Sequence, residues 1–392
     1  MDNSIHHSEK IFKSLEKINL TGKLSKIAIT HTITILMAIF SIGYRGKTVD
    51  FERQSDCHRT TIGYFLNKGK WDELAIEKAV KQSVIDIIYE ESKRTGKPIF
   101  CVIDDTISSK TKPSSKAKNP IEDAYFHFSH LKKKQDYGHQ AISIMLSCNG
   151  ITLNYAIIMY DKSKSKIKLV SEIASELPIP PVASYLLCDS WYVCDKIMDS
   201  FIRRGFYTIG ALKTNRIIYP SGMKCSVSQF AESLKENADQ FHNVTVKGRQ
   251  YNIYRYEGNL NGIENAVVLI SFPVEAMNNP KALRAFISTD VSLSTEEILN
   301  IYVNRWEIEV FFRDCKTKLA FDRYQIRSSK GIKRFWIITS LAYFIACRES
   351  KSFDFSEGFR LLSDEIRNER IRYIYEFGKS GNSFSDLIAM VA

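Results

Sequence analysis

Carboxylates stand at the ends of two predicted strands, where they could hold metal ions. Asp104 and Asp105 lie near the end of the apolar run 99–106, and Asp189 follows the apolar run 183–188. Runs of this kind predict strands that are buried on both faces. Magnesium binds hard oxygen ligands, and two such ions can flank a scissile phosphate. Carboxylates on neighbouring strands therefore suit metal-dependent phosphodiester chemistry, in which a shared cation offsets the cost of burying them.

The same carboxylates also have a purely structural interpretation. An aspartate at the end of a strand often forms an Asx-turn, and Asp189 could cap the helix predicted after it. Strand alternation does not decide between Asp104 and Asp105, because both faces of their strand are apolar.

The segment IYVNRWEIEVFFRDCK has the periodicity of an amphipathic helix and carries a third carboxylate. At about 100° per residue, four of its side chains share a sector of roughly 60°: Tyr302, Arg305, Glu309 and Lys316. Glu307 lies about 160° away from Glu309 on the same helical wheel. One carboxylate thus stands between two cations and a phenol, although a solvated face with i,i+4 charge pairs would look similar.

The spacing Y-x2-R-x3-E-x6-K of these four residues resembles the signature of a group of bacterial insertion-sequence transposases. These are DDE enzymes with an RNase H-like core. The resemblance implies that Glu309 is the third metal-binding carboxylate, and that Tyr302, Arg305 and Lys316 contact transposon-end DNA. It also implies a fold of the α/β class, an RNase H-like mixed sheet flanked by helices.

Local context extends the resemblance over roughly residues 98 to 330. The family tends to have Thr or Ser two residues after its first aspartate, which favours Asp104, followed by Thr106, over Asp105. CDSWY resembles the block around the second aspartate, Asp189. ALKTNR resembles the basic strand end after it, which makes Lys213 and Arg216 candidates for phosphate contact.

The composition is that of a soluble globular protein with a polyanionic partner. The chain of 392 residues has a net charge of +11, and a basic surface attracts phosphate backbones. Its eight cysteines show no zinc-binding spacing, so we expect reduced thiols in a cytoplasmic, nucleoid-associated prokaryotic protein. The apolar stretch 27–44 is interrupted by Thr, His and Ser, which favours a buried helix over a membrane span.

The first part of the chain has helical patterns separated by basic and small polar connectors. Two short helices joined by a turn at residues 55–57 have the size of a helix-turn-helix. His58 and Arg59 would begin the second helix, where side chains read base edges. Any small helical bundle can contain such a turn, so the pattern alone does not establish DNA reading.

The chain order divides into five predicted regions, with an N-terminal all-helical domain and a β-rich insertion before the helix of Glu309. They are a helical DNA-binding domain (1–95), the first part of the catalytic core (96–214), the β-rich insertion (215–282), the second part of the core (283–349) and a C-terminal helical tail (350–392). Members of the resembled family have an insertion at this point of the chain.

The resemblance implies a transposase that binds the terminal inverted repeats of its element, as a homodimer in the synaptic complex. Double-stranded DNA, both transposon ends and target, is the expected partner, with no membrane. Asp104, Asp189 and Glu309 would use two Mg²⁺ ions, or Mn²⁺ in their place, for strand cleavage and transfer. The alternatives are an RNase H-like nuclease or resolvase without strand transfer, and a non-catalytic DNA-binding protein derived from a transposase.

Overall fold

The computed structural model describes residues 9–54, 57–129, 132–381 and 383–386. Its N-terminal part is helical, as predicted. The helices are α1 (Glu9–Lys17), α2 (Lys26–Phe40), α3 (Thr48–Glu52), α4 (Arg59–Asn67) and α5 (Glu73–Thr95). The predicted turn between α3 and α4 includes Ser55 and Asp56, which lie outside the described residues.

The middle of the chain forms the sheet of an RNase H-like core. Its elements are β1 (Phe100–Ser109), β2 (Tyr125–Ser129), β3 (Lys134–Cys148), β4 (Ile151–Tyr160), α6 (Lys166–Glu176), β5 (Ser184–Cys188), α7 (Asp195–Ile202) and β6 (Phe206–Leu212). Strands β4, β3, β1, β5 and β6 lie side by side in that order. Strands β1, β5 and β6 are parallel, whereas β3 runs antiparallel to β1.

Local sequence explains the hairpin that begins this sheet. Asn149 and Gly150 both have positive φ, 49° and 85°, the backbone conformation that a two-residue hairpin turn needs. Residues 138–148 of β3 are buried throughout, because the sheet is covered on both faces. Strand β2 pairs with the start of β3, beyond the region where β3 pairs with β4.

The predicted insertion continues the same sheet. It contains β7 (Ile217–Ile218), β8 (Cys225–Ser226), α8 (Val227–Leu234), β9 (His242–Val246), β10 (Arg249–Leu260) and β11 (Ile263–Pro273), and is followed by β12 (Arg284–Ser288). Strand β12 pairs with β6 on one side and with β11 on the other, which joins the insertion to the core by hydrogen bonds. Helix α8 was not predicted; Ser226 and Gln229 form its capping box.

The predicted helix of Glu309 is interrupted by a tighter turn. Helix α9 (Thr295–Tyr302) is followed by a 3₁₀ turn, Val303–Arg305, and by α10 (Trp306–Thr317). The predicted capping box of Ser294 and Glu297 begins α9. Helices α11 (Ser329–Glu349) and α12 (Phe355–Lys379) complete the described chain.

The N-terminal helices are packed against the central sheet. Arg334 on α11 is almost completely buried, and its guanidinium donates to the carbonyls of Phe65, Leu66 and Gly69 and to the carboxylate of Glu73. Helix α5 contacts β3, β4 and α11. Buried residues of the helical region and of the sheet form one continuous core. The division between a DNA-binding and a catalytic domain near residue 95 therefore stays a prediction.

Two further sequence-based expectations concern the apolar helix α2 and the cysteines. Most of α2 is buried, and among the described residues no helix is long and apolar enough to cross a membrane. All eight cysteines are in the reduced form in the structure.

Candidate active site

Asp104 and Asp189 lie side by side because β1 and β5 are parallel neighbours. Ile103 pairs with Cys188 in the register of these strands, so the residue after each is a carboxylate. Neighbouring strands are about 4.8 Å apart. The two aspartates therefore project from one position along the sheet.

Burial raises the pKa of Asp104 to about 7, and the nearby charge of Asp189 adds to this shift. The guanidinium of Arg305 acts in the opposite direction, at 3.0 Å from Asp104 Oδ2. One cation thus does not neutralise the charge that the two carboxylates would carry together. A group with a strongly perturbed pKa and a specific charge partner is a candidate for function.

Asp105 has a different environment from Asp104. Its carboxylate accepts hydrogen bonds from Gln140 Nε2 at 2.6 Å, Lys166 Nζ at 2.8 Å and the Tyr192 hydroxyl at 2.8 Å. These donors come from β3, the start of α6 and the segment between Asp189 and α7. Asp105 therefore links elements of the core through hydrogen bonds, whereas Asp104 points toward Asp189 and Arg305.

Arg305 connects the third carboxylate to the first. Its Nη1 donates to Asp104, and its Nη2 forms a short hydrogen bond with Glu309 one turn further along. Glu309 remains partly exposed, while Glu307 is exposed on another face. Ile308, Phe311 and Phe312 are buried, so the predicted apolar flank of the helix packs on the core.

The other two residues of the spacing lie along the same side. Tyr302 packs its ring edge-on against Phe286, 5.0 Å between centroids, and burial raises its pKa to about 12. Lys316 Nζ donates to Thr106 Oγ1 at 2.6 Å, two residues beyond Asp104. Arg305 and Lys316 therefore contact β1 at successive positions, Asp104 and Thr106.

The donor set fits a divalent cation, although the carboxylates do not yet converge. Among the described residues, no three carboxylate, histidine or cysteine side chains are close enough to share a metal ion. The guanidinium of Arg305 lies between Asp104 and Glu309, where it neutralises part of their charge. For these two carboxylates to share an ion, Arg305 has to move aside. Carboxylate oxygens are the ligands that Mg²⁺ and Mn²⁺ prefer.

The remaining candidates lie at different distances from this cluster. Lys213 is exposed just after β6, the strand beside β5. Arg216 is 3.8 Å from Asp195 at the start of α7 and donates to the carbonyl of Asn261. His58 and Arg59 are exposed at the start of α4, in the helical region.

Gln140, Lys166 and Tyr192 were not predicted as site residues. Gln140 could have been noticed as a polar residue within an apolar strand. Lys166 carried no local signal, because its contact with Asp105 spans 61 positions of sequence. Lys166 Nζ also lies 4.8 Å from the ring centroid of Trp191, which is 40% exposed beside Asp189.

Comparison with known families identifies the domain that contains these residues. The family model described as a transposase DDE domain matches residues 95–345, which include all three candidate carboxylates. No protein of curated function matches the chain significantly. The match covers well over half of the chain and contains the strand pair and helix described above. The chain therefore belongs to the DDE-domain transposases, with an RNase H-like catalytic core.

Proposed function

We propose that this transposase binds the terminal inverted repeats of its own element, cleaves the DNA there and transfers the freed strand to target DNA. The observation that carries the proposal is the pair Asp104 and Asp189 on neighbouring strands, with Glu309 joined to Asp104 through Arg305. Two ends must be cut and joined together, so we propose that a homodimer acts in the synaptic complex.

Asp104, Asp189 and Glu309 are the proposed ligands of two Mg²⁺ ions. When bound, such ions neutralise charge at the scissile phosphate and activate the attacking oxygen. Water first attacks the phosphorus and releases a 3′-hydroxyl, which then attacks a phosphate of the target and releases its 3′-oxygen. Positioning and charge neutralisation suffice for such in-line displacements, so no covalent intermediate with the protein is needed.

The cations around the carboxylates have separate proposed roles. Arg305 neutralises part of the charge of Asp104 and Glu309 before DNA arrives, and then turns its guanidinium to a DNA phosphate. Lys316, fixed by Thr106, and the exposed Lys213 hold neighbouring phosphates. Arg216 stays near Asp195 at the edge of the site. The ring of Tyr302 packs against Arg305, with the guanidinium carbon 5.9 Å from the ring centroid.

A strand-transfer assay tests the proposal. Purified protein, Mg²⁺ and a duplex that carries the inverted repeat and its flank are incubated with supercoiled plasmid. Joined products that require the terminal repeat are expected. Cleavage without joining would instead favour the nuclease alternative, and absence of both reactions with Mg²⁺ and Mn²⁺ would refute catalysis.

Metal binding should depend on pH because Asp104 must lose its proton to become a ligand. With a pKa of about 7 for Asp104, protons compete with the metal below pH 7. The affinity for Mn²⁺ without DNA should therefore fall about tenfold per pH unit below 7 and level off above it. Calorimetric titration between pH 5.5 and 8.5 measures this. In Asp104→Asn the residual binding should lose that dependence; an unchanged pH profile would contradict the assignment.

Sequence-specific end binding should depend on the exposed start of α4. Helix α4 buries Ile62, Phe65 and Leu66 and exposes Arg59, and His58 Nδ1 caps its first turn. Arg59→Ala should lower the preference for end DNA over scrambled DNA about tenfold, since one good base contact discriminates by about 1–3 kcal/mol. Competition binding measures the preference. Arg360→Ala, at another exposed arginine that lies on α12, is the control and should leave the preference unchanged.

A further inference from the structure

A lysine-rich hairpin continues β1 beyond the candidate carboxylates. Residues 110–129 and 132–136 contain seven lysines and three acidic residues. They include β2 and the start of β3, which pair from Tyr125 with Gly138 to Ser129 with Lys134. We call this segment the basic hairpin. None of the site residues discussed above lies in it.

The acidic residues of the basic hairpin are already engaged. Glu122 accepts from the backbone amide of Ser329, and Asp123 accepts from the Ser329 hydroxyl. Asp136 accepts from Lys132 at 2.7 Å and from the hydroxyl of Ser109. Among the described residues of the segment, one acidic residue, Glu122, and six lysines are exposed, so its exposed charge is positive; the lysines are Lys112, Lys116, Lys118, Lys132, Lys133 and Lys134.

The basic hairpin is built into the core at its base. Lys110 Nζ donates to the carbonyls of Asp322 and Tyr324, at 2.7 and 3.1 Å. Buried His139 joins the Tyr324 hydroxyl to the carbonyl of Glu122. At Gly138 a Cβ would lie 2.1 Å from the carbonyl oxygen of Ser108, so β3 approaches β1 as only glycine allows. The orientation of the hairpin is thus fixed relative to β1.

Its cations continue a row that begins at the carboxylates. Lys316 contacts Thr106, two residues beyond Asp104, and Lys132 contacts Ser109 at 2.8 Å. Burial lowers the pKa of Lys316, and the charge of Lys132 contributes. Beyond them, Lys133 and Lys134 lie at the outer end of the hairpin.

Aromatic side chains accompany these cations. Phe126 is 49% exposed, and Lys112 Nζ lies 5.5 Å from its ring centroid. Lys162 covers the ring of Tyr125 at 4.9 Å. Interleaved cations and exposed rings are typical of surfaces that bind nucleic acid.

We propose that the basic hairpin binds the phosphate backbone of duplex DNA whose scissile phosphate lies at the carboxylates, about one helical turn away from that phosphate. Ser109 pairs with Gly138, so Lys134 lies nine strand positions beyond Asp104, or about 30 Å at roughly 3.3 Å per residue. That span equals about nine base pairs. The inference rests on the proposed function, because it takes the carboxylates as the point where DNA is cut.

Duplexes of graded length test this proposal. One series varies the arm inside the element from about 4 to about 16 base pairs, which is roughly half to one and a half helical turns. The other series varies the flanking arm over the same range. Binding by the full-length protein should strengthen when one arm grows past about nine base pairs. The series that shows the gain identifies whether element or flanking DNA contacts the hairpin.

The test variant is Lys133→Gln with Lys134→Gln, which leaves the Lys132–Asp136 pair intact. This variant should not bind long duplexes more tightly than short ones. On long duplexes, the slope of log affinity against log salt concentration should be smaller in magnitude by about 2 than in wild type. Lys93→Gln with Lys97→Gln removes the same charge from exposed positions just before β1, at the opposite end from the carboxylates, and should change neither.

Two outcomes would overturn the proposal. One is an equal loss of affinity on short and long duplexes, and the other is an equal loss in the control variant at unchanged thermal stability. Cleavage of short duplexes is measured in parallel and should be unaffected by the hairpin substitutions. Failure of the wild-type protein to cleave would count against the proposed function, whereas the dependence of binding on arm length would still decide the role of the hairpin.

Discussion

Glu309→Gln should abolish Mg²⁺-dependent cleavage of end DNA while the protein remains folded and bound to DNA. The substitution keeps the size of the side chain but removes one anionic oxygen ligand. Changing groups that merely support a metal ligand costs about 10–100-fold, so loss of the ligand itself should cost at least about 100-fold. Glu309 is partly exposed, and its charged partner is Arg305, so its removal should hardly affect the core. Cleavage rates, end binding and thermal unfolding are the measurements.

Glu307→Gln is the matched control, because it makes the same chemical change two residues away. Glu307 is exposed and lies on another face of α10. Its substitution should leave cleavage within about twofold of wild type, as expected for a surface position without a special role. An inactive Glu307→Gln beside an active Glu309→Gln, at equal stability, would refute the assignment of the third carboxylate.

The sequence predicts the packing face of this helix well because helix geometry is local. A 3.6-residue period decides which side chains share a face within a helix such as α10. The buried Ile308, Phe311 and Phe312 confirm the predicted packing face. Similarly, positive φ at Asn149 and Gly150 follows from the two residues themselves.

Contacts between distant segments could not be predicted in the same way. The bridge from Arg305 to Asp104 spans 201 positions. For Arg305 the sequence suggested only charge pairing along its own helix or, through the family resemblance, a role toward DNA. That role stays a prediction. The helical pattern of α5 was clear, but its packing against β3 and β4 depends on which faces are left open by the sheet.

Strand order was the other property that local patterns left undetermined. The alternating segments of the insertion predict strands, yet nothing in them indicates that β12 joins β6 to β11. The hydrogen bonds of an edge strand are satisfied by any suitable neighbour, so the pairing is decided by the whole fold.

Asp104→Asn and Asp105→Asn should have different effects, because Asp104 is a proposed metal ligand and Asp105 links elements of the core through hydrogen bonds. Asp104→Asn should lower cleavage at least about 100-fold, as for Glu309. Asp105→Asn should lower the free energy of unfolding by about 1–3 kcal/mol, because an amide cannot accept from Gln140, Lys166 and Tyr192 together. Folded Asp105→Asn should still cleave. Cleavage is measured well below the unfolding temperature of each variant.

The difference in stability between wild type and Asp104→Asn should depend on pH, because the pKa of Asp104 is raised in the folded state. The pKa of Asp104 is raised from 3.8 to about 7 in the folded state, so ionisation between these values disfavours the folded state. Wild type and Asp104→Asn should therefore differ least in stability near pH 4, where Asp104 is protonated in the folded state and only about half ionised in the unfolded state. Without metal, Asp104→Asn should gain relative stability as the pH rises, and the gain should level off above pH 7. Denaturant unfolding at pH 4, 6 and 8 in chelator measures the difference. If Asp105→Asn shows this gain and loses cleavage while Asp104→Asn keeps cleavage, Asp105 is the first catalytic carboxylate.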